Sequence, residues 1–270
     1  MGGGAFGCIY HIGVVKALYK HNLFDINVYG NSAGALAGMF YLLRTPVKTI
    51  KRLFAMCVKK GQQSIDSNPF RLSSYQITNL HFDIFKFVND EYPDAYKQCS
   101  HRLKIGVTKT TTGFEWKNEF KSNIDLFNTL LCSFNVPFLC NYDAKLDGVD
   151  CIDGGFGFNA DRDLPKNVDI KISLYNLGGY CLNANIPLLH RMTPPSKEHY
   201  NRYLKNGYKD MKNKINNKNV NECCAGSETS LETIISCVEY QLQMHKLQHI
   251  VDQKMLTYDD LVELLRQPKC

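Results

Sequence analysis

Five residues, Gly30-Asn31-Ser32-Ala33-Gly34, constrain this chain more than any other stretch. They form a G-x-S-x-G sequence between a short extended run, Ile26-Asn27-Val28-Tyr29, and a run of small and unbranched residues, Ala35 to Leu43, that favours helix. Strand, sharp turn and helix is the context in which this pentapeptide carries chemistry. Gly30 and Gly34 let the backbone turn tightly and let the helix pack close to the strand. Ser32 is then held at the tip of the turn, in the positive field of a helix N-terminus. An ordinary Gly/Ser turn is the other meaning of these five residues, and the flanking strand and helix favour the nucleophile.

Ahead of the turn, Gly2-Gly3-Gly4-Ala5-Phe6-Gly7 leads into Cys8 to Lys20, where apolar residues at 9, 12, 15 and 18 keep the helical period. A glycine-rich loop that opens a helix presents backbone N–H groups to an anion. Gly2, Gly4 and Gly7 satisfy G-x-G-x-x-G, the dinucleotide-binding pattern. That site needs a strand before the loop and an acid at the end of the next strand. No strand-forming run precedes these glycines, and Asp25 sits before the second strand, not after it. The other use of such a loop is an oxyanion hole. A helix between two parallel strands makes a right-handed crossover, which brings the loop before the helix and the turn after Tyr29 to one edge of the sheet. Gly2, Gly3 and Gly4 are therefore expected to face Ser32.

At 270 residues and 44% hydrophobic content the chain suits one large domain, or one domain plus an appendage. No run approaches about 18 apolar residues, so no spanning helix is expected, and the opening residues do not read as a leader. The eleven cysteines are odd in number and scattered through apolar segments, with no C-x-x-C and no zinc spacing. They read as reduced thiols of a cytoplasmic protein, not as a disulfide frame. Most of the net charge of +6 is local: residues 196–221 hold six lysines and Arg202 against Glu198 and Asp210. No nucleic-acid partner is expected.

Pro46 starts a basic amphipathic helix, Val47 to Lys60, whose apolar positions are 50, 53, 54 and 57; its basic side is either a plain solvated face or a contact for anionic lipid. The run Leu80 to Val88, rich in Phe and Ile, suits core packing and an acyl-chain pocket equally well. Strands are expected at 103–109 and from 113, a helix over 124–132, and a hairpin turning at Asp147-Gly148 that delivers Asp153 at a strand end. A last strand covers 168–174 and Pro194-Pro195 marks a boundary. Thr229 with Glu232, and Thr257 with Asp260, cap two further helices whose apolar stripes dock on the main domain or on a partner.

Taken in order, Gly2-Gly3-Gly4 before a helix, Gly30-Asn31-Ser32-Ala33-Gly34, and Asp153-Gly154-Gly155 resemble the three motifs of the patatin-like phospholipases. Gly7 to Val14 is similar to the animal triglyceride-lipase branch. Asn159 matches an asparagine that follows the motif aspartate, while Phe6 stands where many members carry Arg or Lys and Asp161 where a proline is usual. The resemblance implies a three-layer α/β/α sandwich with a mainly parallel central sheet over residues 1–191. A basic polar linker over 192–228, whose residues 196–221 read as a solvated linker or an irregular helix, and a helical C-terminal extension over 229–270 complete the expected organisation.

It also implies a serine-dependent lipid acyl hydrolase of the phospholipase A or triacylglycerol lipase type, with no metal and no cofactor. Ser32 is the nucleophile, Asp153 the general base, and Gly2, Gly3 and Gly4 the oxyanion hole; Gly30, Gly34, Gly154 and Gly155 shape the motifs. An ordinary aspartate, with a pKa near about 3.9, is a poor base for a hydroxyl and needs desolvation and a direct hydrogen bond to it. A triad through His190, His199, His245 or His249 is the second arrangement. The implied partner is a lipid acyl ester, reached by peripheral contact with an anionic membrane or a lipid droplet. The alternative function is a weak or inactive lipid-binding protein that keeps the fold.

Overall fold

A computed structural model describes residues 1–67, 74–136, 140, 143–166, 168, 170–174, 182–187, 190–191 and 193–217. The two helices expected from Thr229 and Thr257 lie outside these residues, as do His245 and His249. A short 3-10 turn, Ala5–Gly7, leads directly into α1 (Cys8–Lys20). The chain then forms β1 (Val28–Asn31) and α2 (Ala33–Leu42), every residue of which is buried. A helix apolar on all sides belongs inside a protein, and α2 lies between β1 and the helices packed over it.

Three helices follow: α3 (Val47–Ser67), α4 (Ser74–Glu91) and α5 (Ala95–Cys99). The expected amphipathic division holds in α3, where Ile50, Leu53, Phe54 and Cys57 are buried and Lys48, Arg52, Lys59 and Lys60 are exposed. β2 (Leu103–Lys109) and β3 (Gly113–Lys117) form an antiparallel pair, and α6 (Asn123–Phe134) crosses back over the sheet. Then β4 (Lys145–Leu146) and β5 (Val149–Asp153) make the hairpin predicted at Asp147-Gly148. Both turn residues have positive φ, 53° and 79°, as a type I′ turn requires. Two single turns, α7 (Gly154–Gly157) and α8 (Ala160–Asp163), precede β6 (Ile172–Ser173) and β7 (Leu182–Asn183).

β2 takes one parallel partner and two antiparallel ones. β1 lies parallel to β2, with Val28 opposite Leu103 and Asn31 opposite Gly106. Met1 continues this order: its N donates to Tyr29 O (2.6 Å) and its carbonyl accepts from Asn31 N–H (3.2 Å), while Gly2 N–H reaches Ile172 O (3.0 Å) on β6. Met1 and Gly2 thus occupy the inter-strand position for which the sequence shows no strand-forming run. β5, by contrast, runs antiparallel to β2, with Asp153 opposite Val107.

Alternate residues of a strand bond to the same edge. Arg102 O accepts from Val28 N–H, and Thr110 N–H donates to Asp150 O, so β1 and β5 share one edge of the β2 line. They approach from opposite directions and meet at Gly106 and Val107.

The basic segment read as a polar linker over 192–228 is helical in its first part, α9 (Lys197–Asn216), and docks along α1. Tyr203, Gly207 and Met211, one turn apart, are buried, while Lys205, Lys209 and Lys212 face out. The charges that make the segment look solvated occupy one face only. At the crossing the backbones touch: a methyl on Gly13 would lie 2.2 Å from Leu204 O, and one on Gly207 2.1 Å from Tyr10 O. Gly207→Ala is therefore expected to lower stability by about 1–3 kcal/mol, read as a lower urea midpoint at unchanged slope. Among the described residues no helix is long and apolar enough to cross a membrane.

Candidate active site

Ser32 ends the turn from β1 into α2 with φ 48° and ψ −126°. That backbone region costs a non-glycine residue about 1–3 kcal/mol and persists only where the surroundings hold it. Three contacts do so. The Ser32 carbonyl accepts the first α2 bonds from Ala35 N–H (2.9 Å) and Leu36 N–H (3.2 Å). Its own N–H donates to Ser133 Oγ (2.8 Å), a wholly buried hydroxyl at the end of α6. Gly34 lets the Met1 backbone cross the turn, since a methyl there would lie 2.1 Å from Met1 O. Nothing in the sequence around Ser133 signals this role, because it depends on α6 returning over β2 and β5 to meet α2. Ser133→Ala leaves the Ser32 N–H buried without an acceptor and is expected to cost about 1–3 kcal/mol, with a parallel loss of hydroxyl reactivity; chemical denaturation and serine labelling measure the two.

Asp153, at the end of β5, is 5% exposed and caps α7 by accepting Gly155 N–H on Oδ1 (2.8 Å). Its Oδ2 is buried and has no hydrogen-bond partner among the described residues. Burial pushes its pKa up to about 6, and the nearby Ser32 hydroxyl and the Gly155 N–H oppose the rise. The carboxylate and the serine hydroxyl are thus neighbours at the meeting point of β1 and β5.

The glycine loop lies against the same serine, and its three members differ. Gly2 is tied on both sides: its N–H donates to Ile172 O (3.0 Å) and its carbonyl accepts from His11 Nε2 (2.8 Å). It has no free donor for a substrate, so the expected trio loses one member. The N–H groups of Gly3 and Gly4 have no acceptor among the described residues. Gly3 is the nearer, since a methyl on it would lie 3.0 Å from Ser32 Cβ and 3.7 Å from Ser32 Oγ.

An apolar cavity of about 710 Å³, counted with its open mouth, begins at Ser32. Phe6, Phe54, His81, Ile84 and Phe134 are among its walls. Part of the Phe- and Ile-rich run in α4 therefore lines a cavity beside the serine. His81 packs on Phe134 with ring centroids 4.6 Å apart, and burial lowers its pKa to about 4, which keeps it neutral near pH 7. His190 and His199 lie ring against ring, tilted by 32° with centroids 4.0 Å apart, beside Tyr203 at the start of α9 and do not line this cavity. Asn159 acts locally, its side chain capping α8 by accepting from Asp161 N–H (3.0 Å) and Arg162 N–H (3.1 Å).

The described residues bring to one point a strained serine, a buried carboxylate of raised pKa, two backbone N–H groups without an acceptor and an apolar chamber, a set that is able to carry acyl transfer. A family model described as Patatin-like phospholipase matches residues 1–164. No curated protein matches the chain.

Proposed function

The chain belongs to the patatin-like phospholipase family, and we propose that it hydrolyses lipid acyl esters through a dyad of Ser32 and Asp153. The observation that carries this reading is the buried Asp153 carboxylate, its pKa raised to about 6, beside the Ser32 hydroxyl. At neutral pH such a group is ionised yet basic enough to take a serine proton. Asp153 accepts the Ser32 proton as Oγ attacks the ester carbonyl. The developing negative charge falls to the Gly3 and Gly4 N–H groups. Collapse of the intermediate expels the alcohol, protonated by Asp153, and leaves an acyl-serine. Asp153 then activates a water that releases the fatty acid.

The apolar cavity suits the acyl chain, in keeping with either a phospholipid or a triacylglycerol. The exposed cations of α3 and α9, among them Lys48, Arg52, Lys205 and Lys212, suit peripheral contact with an anionic lipid surface. The test is fatty-acid release from phospholipid and triacylglycerol dispersions, together with fluorophosphonate labelling located by peptide mass. Release and a label on Ser32 are expected, and the preferred dispersion names the substrate. Neither release nor a labelled Ser32 would leave the lipid-binding reading in its place.

A further inference from the structure

We propose that His11 is a positioning residue that fixes the Gly2–Gly3 peptide so that the Gly3 N–H points at the oxyanion. The assignment rests on the acyl-hydrolase reading above and adds to it a residue outside the dyad and the glycine loop.

His11 lies on α1, wholly buried, with Nε2 2.8 Å from the Gly2 carbonyl oxygen. A carbonyl only accepts, so Nε2 must carry the proton. Its other nitrogen, Nδ1, is buried without a partner among the described residues, as the acceptor end of a neutral imidazole would be. Burial keeps the ring neutral, holding its pKa down at about 3.

A trans peptide is planar, and its C=O and N–H point in opposite directions. Drawing the Gly2 carbonyl toward α1 therefore turns the Gly3 N–H to the opposite side. Gly3 is also the loop residue whose Cα stands against Ser32, and its N–H has no other acceptor among the described residues. Glycines on both sides of this peptide make rotation easy, since no Cβ resists it. The donor bond from His11 supplies the constraint that the glycines themselves lack. A flipped peptide would present a carbonyl oxygen to the developing negative charge.

Three forms are compared: wild type, His11→Gln, which keeps a donor on a side chain of similar reach, and His11→Leu, which fills the space without one. On a soluble ester, His11→Leu is expected to lower kcat about 100-fold with KM nearly unchanged, because the lost donor acts only in the transition state. His11→Gln should recover most of that loss. Affinity for an acyl trifluoromethyl ketone, which binds as an oxyanion, should fall with kcat, while affinity for the matching alcohol stays constant. A merely structural histidine would weaken both. If His11→Leu keeps kcat within about threefold, the assignment is overturned.

Nitrogen shifts of the wild-type ring give a reading that needs neither turnover nor a folded variant. An Nε2–H tautomer that does not titrate over about pH 5 to 8 is expected, and an Nδ1–H tautomer would overturn the assignment. Absence of Ser32-dependent turnover in the wild type ends the hydrolase reading and this one together. Turnover that is indifferent to His11 ends this one alone.

Discussion

Ester turnover by Asp153→Asn is expected to fall by about 10³–10⁴-fold or more, and that of Ser32→Ala at least as far. The double variant should be scarcely worse than either single one, because the two side chains act in one proton transfer and their losses do not add. Asparagine keeps an oxygen for the Gly155 N–H that Asp153 Oδ1 now accepts, so the loss is of basicity and not of shape. In the wild type, kcat/KM should rise with pH through an acid limb near 6, the value to which burial lifts the Asp153 carboxyl.

Stability should move the opposite way. Between the ordinary carboxyl value of 3.8 and about 6 the folded protein holds a proton that the unfolded chain has lost, so this group's contribution to stability declines as pH rises through that window. At neutral pH the buried carboxylate is a net cost, and Asp153→Asn should unfold at a higher temperature than wild type while being inactive. That pairing separates a catalytic carboxylate from a structural one, whose removal would lower both quantities. An acid limb absent from the wild-type profile, or an Asp153→Asn enzyme of near-normal turnover, would sink the dyad.

Gly3→Ala is expected to lower kcat by about 10²–10³-fold, the loss typical of a single oxyanion donor. Its methyl would sit 3.0 Å from Ser32 Cβ and 3.7 Å from Oγ, and so would crowd the oxyanion position of the proposed mechanism. The effect should appear as slower acylation of Ser32 in a fluorophosphonate time course, with the thermal midpoint little changed. A Gly3→Ala enzyme that acylates at the wild-type rate would remove Gly3 from the oxyanion site. Gly4, the other loop glycine whose N–H has no acceptor among the described residues, would then be the donor that remains.

Local signals along the chain account for much of what was built. The elbow at Ser32 was legible because a strand, two glycines and a run of small residues leave few other turns available. The Asp147-Gly148 hairpin was legible because few residue pairs accept positive φ in succession. The amphipathic period of α3 fixed its buried face in advance. In the segment that became α9 the high density of lysine concealed a buried stripe of one residue per turn.

Convergence was decided elsewhere. Ser32 and Asp153 are separated by 120 intervening residues, and nothing local in either motif states that β5 runs antiparallel on the edge that β1 occupies. That pairing makes the two strand ends meet. The same holds for Ser133 beneath the Ser32 N–H and for His11 beneath the Gly2 carbonyl. The sequence by itself determined which residues carry chemical capability and which short elements hold them, because turn geometry and helical period are set by near neighbours. Only the tertiary structure decided which glycine N–H groups remain free, which carboxylate is desolvated and which buried side chains restrain the strained loop, because hydrogen bonding and burial depend on residues distant in the chain.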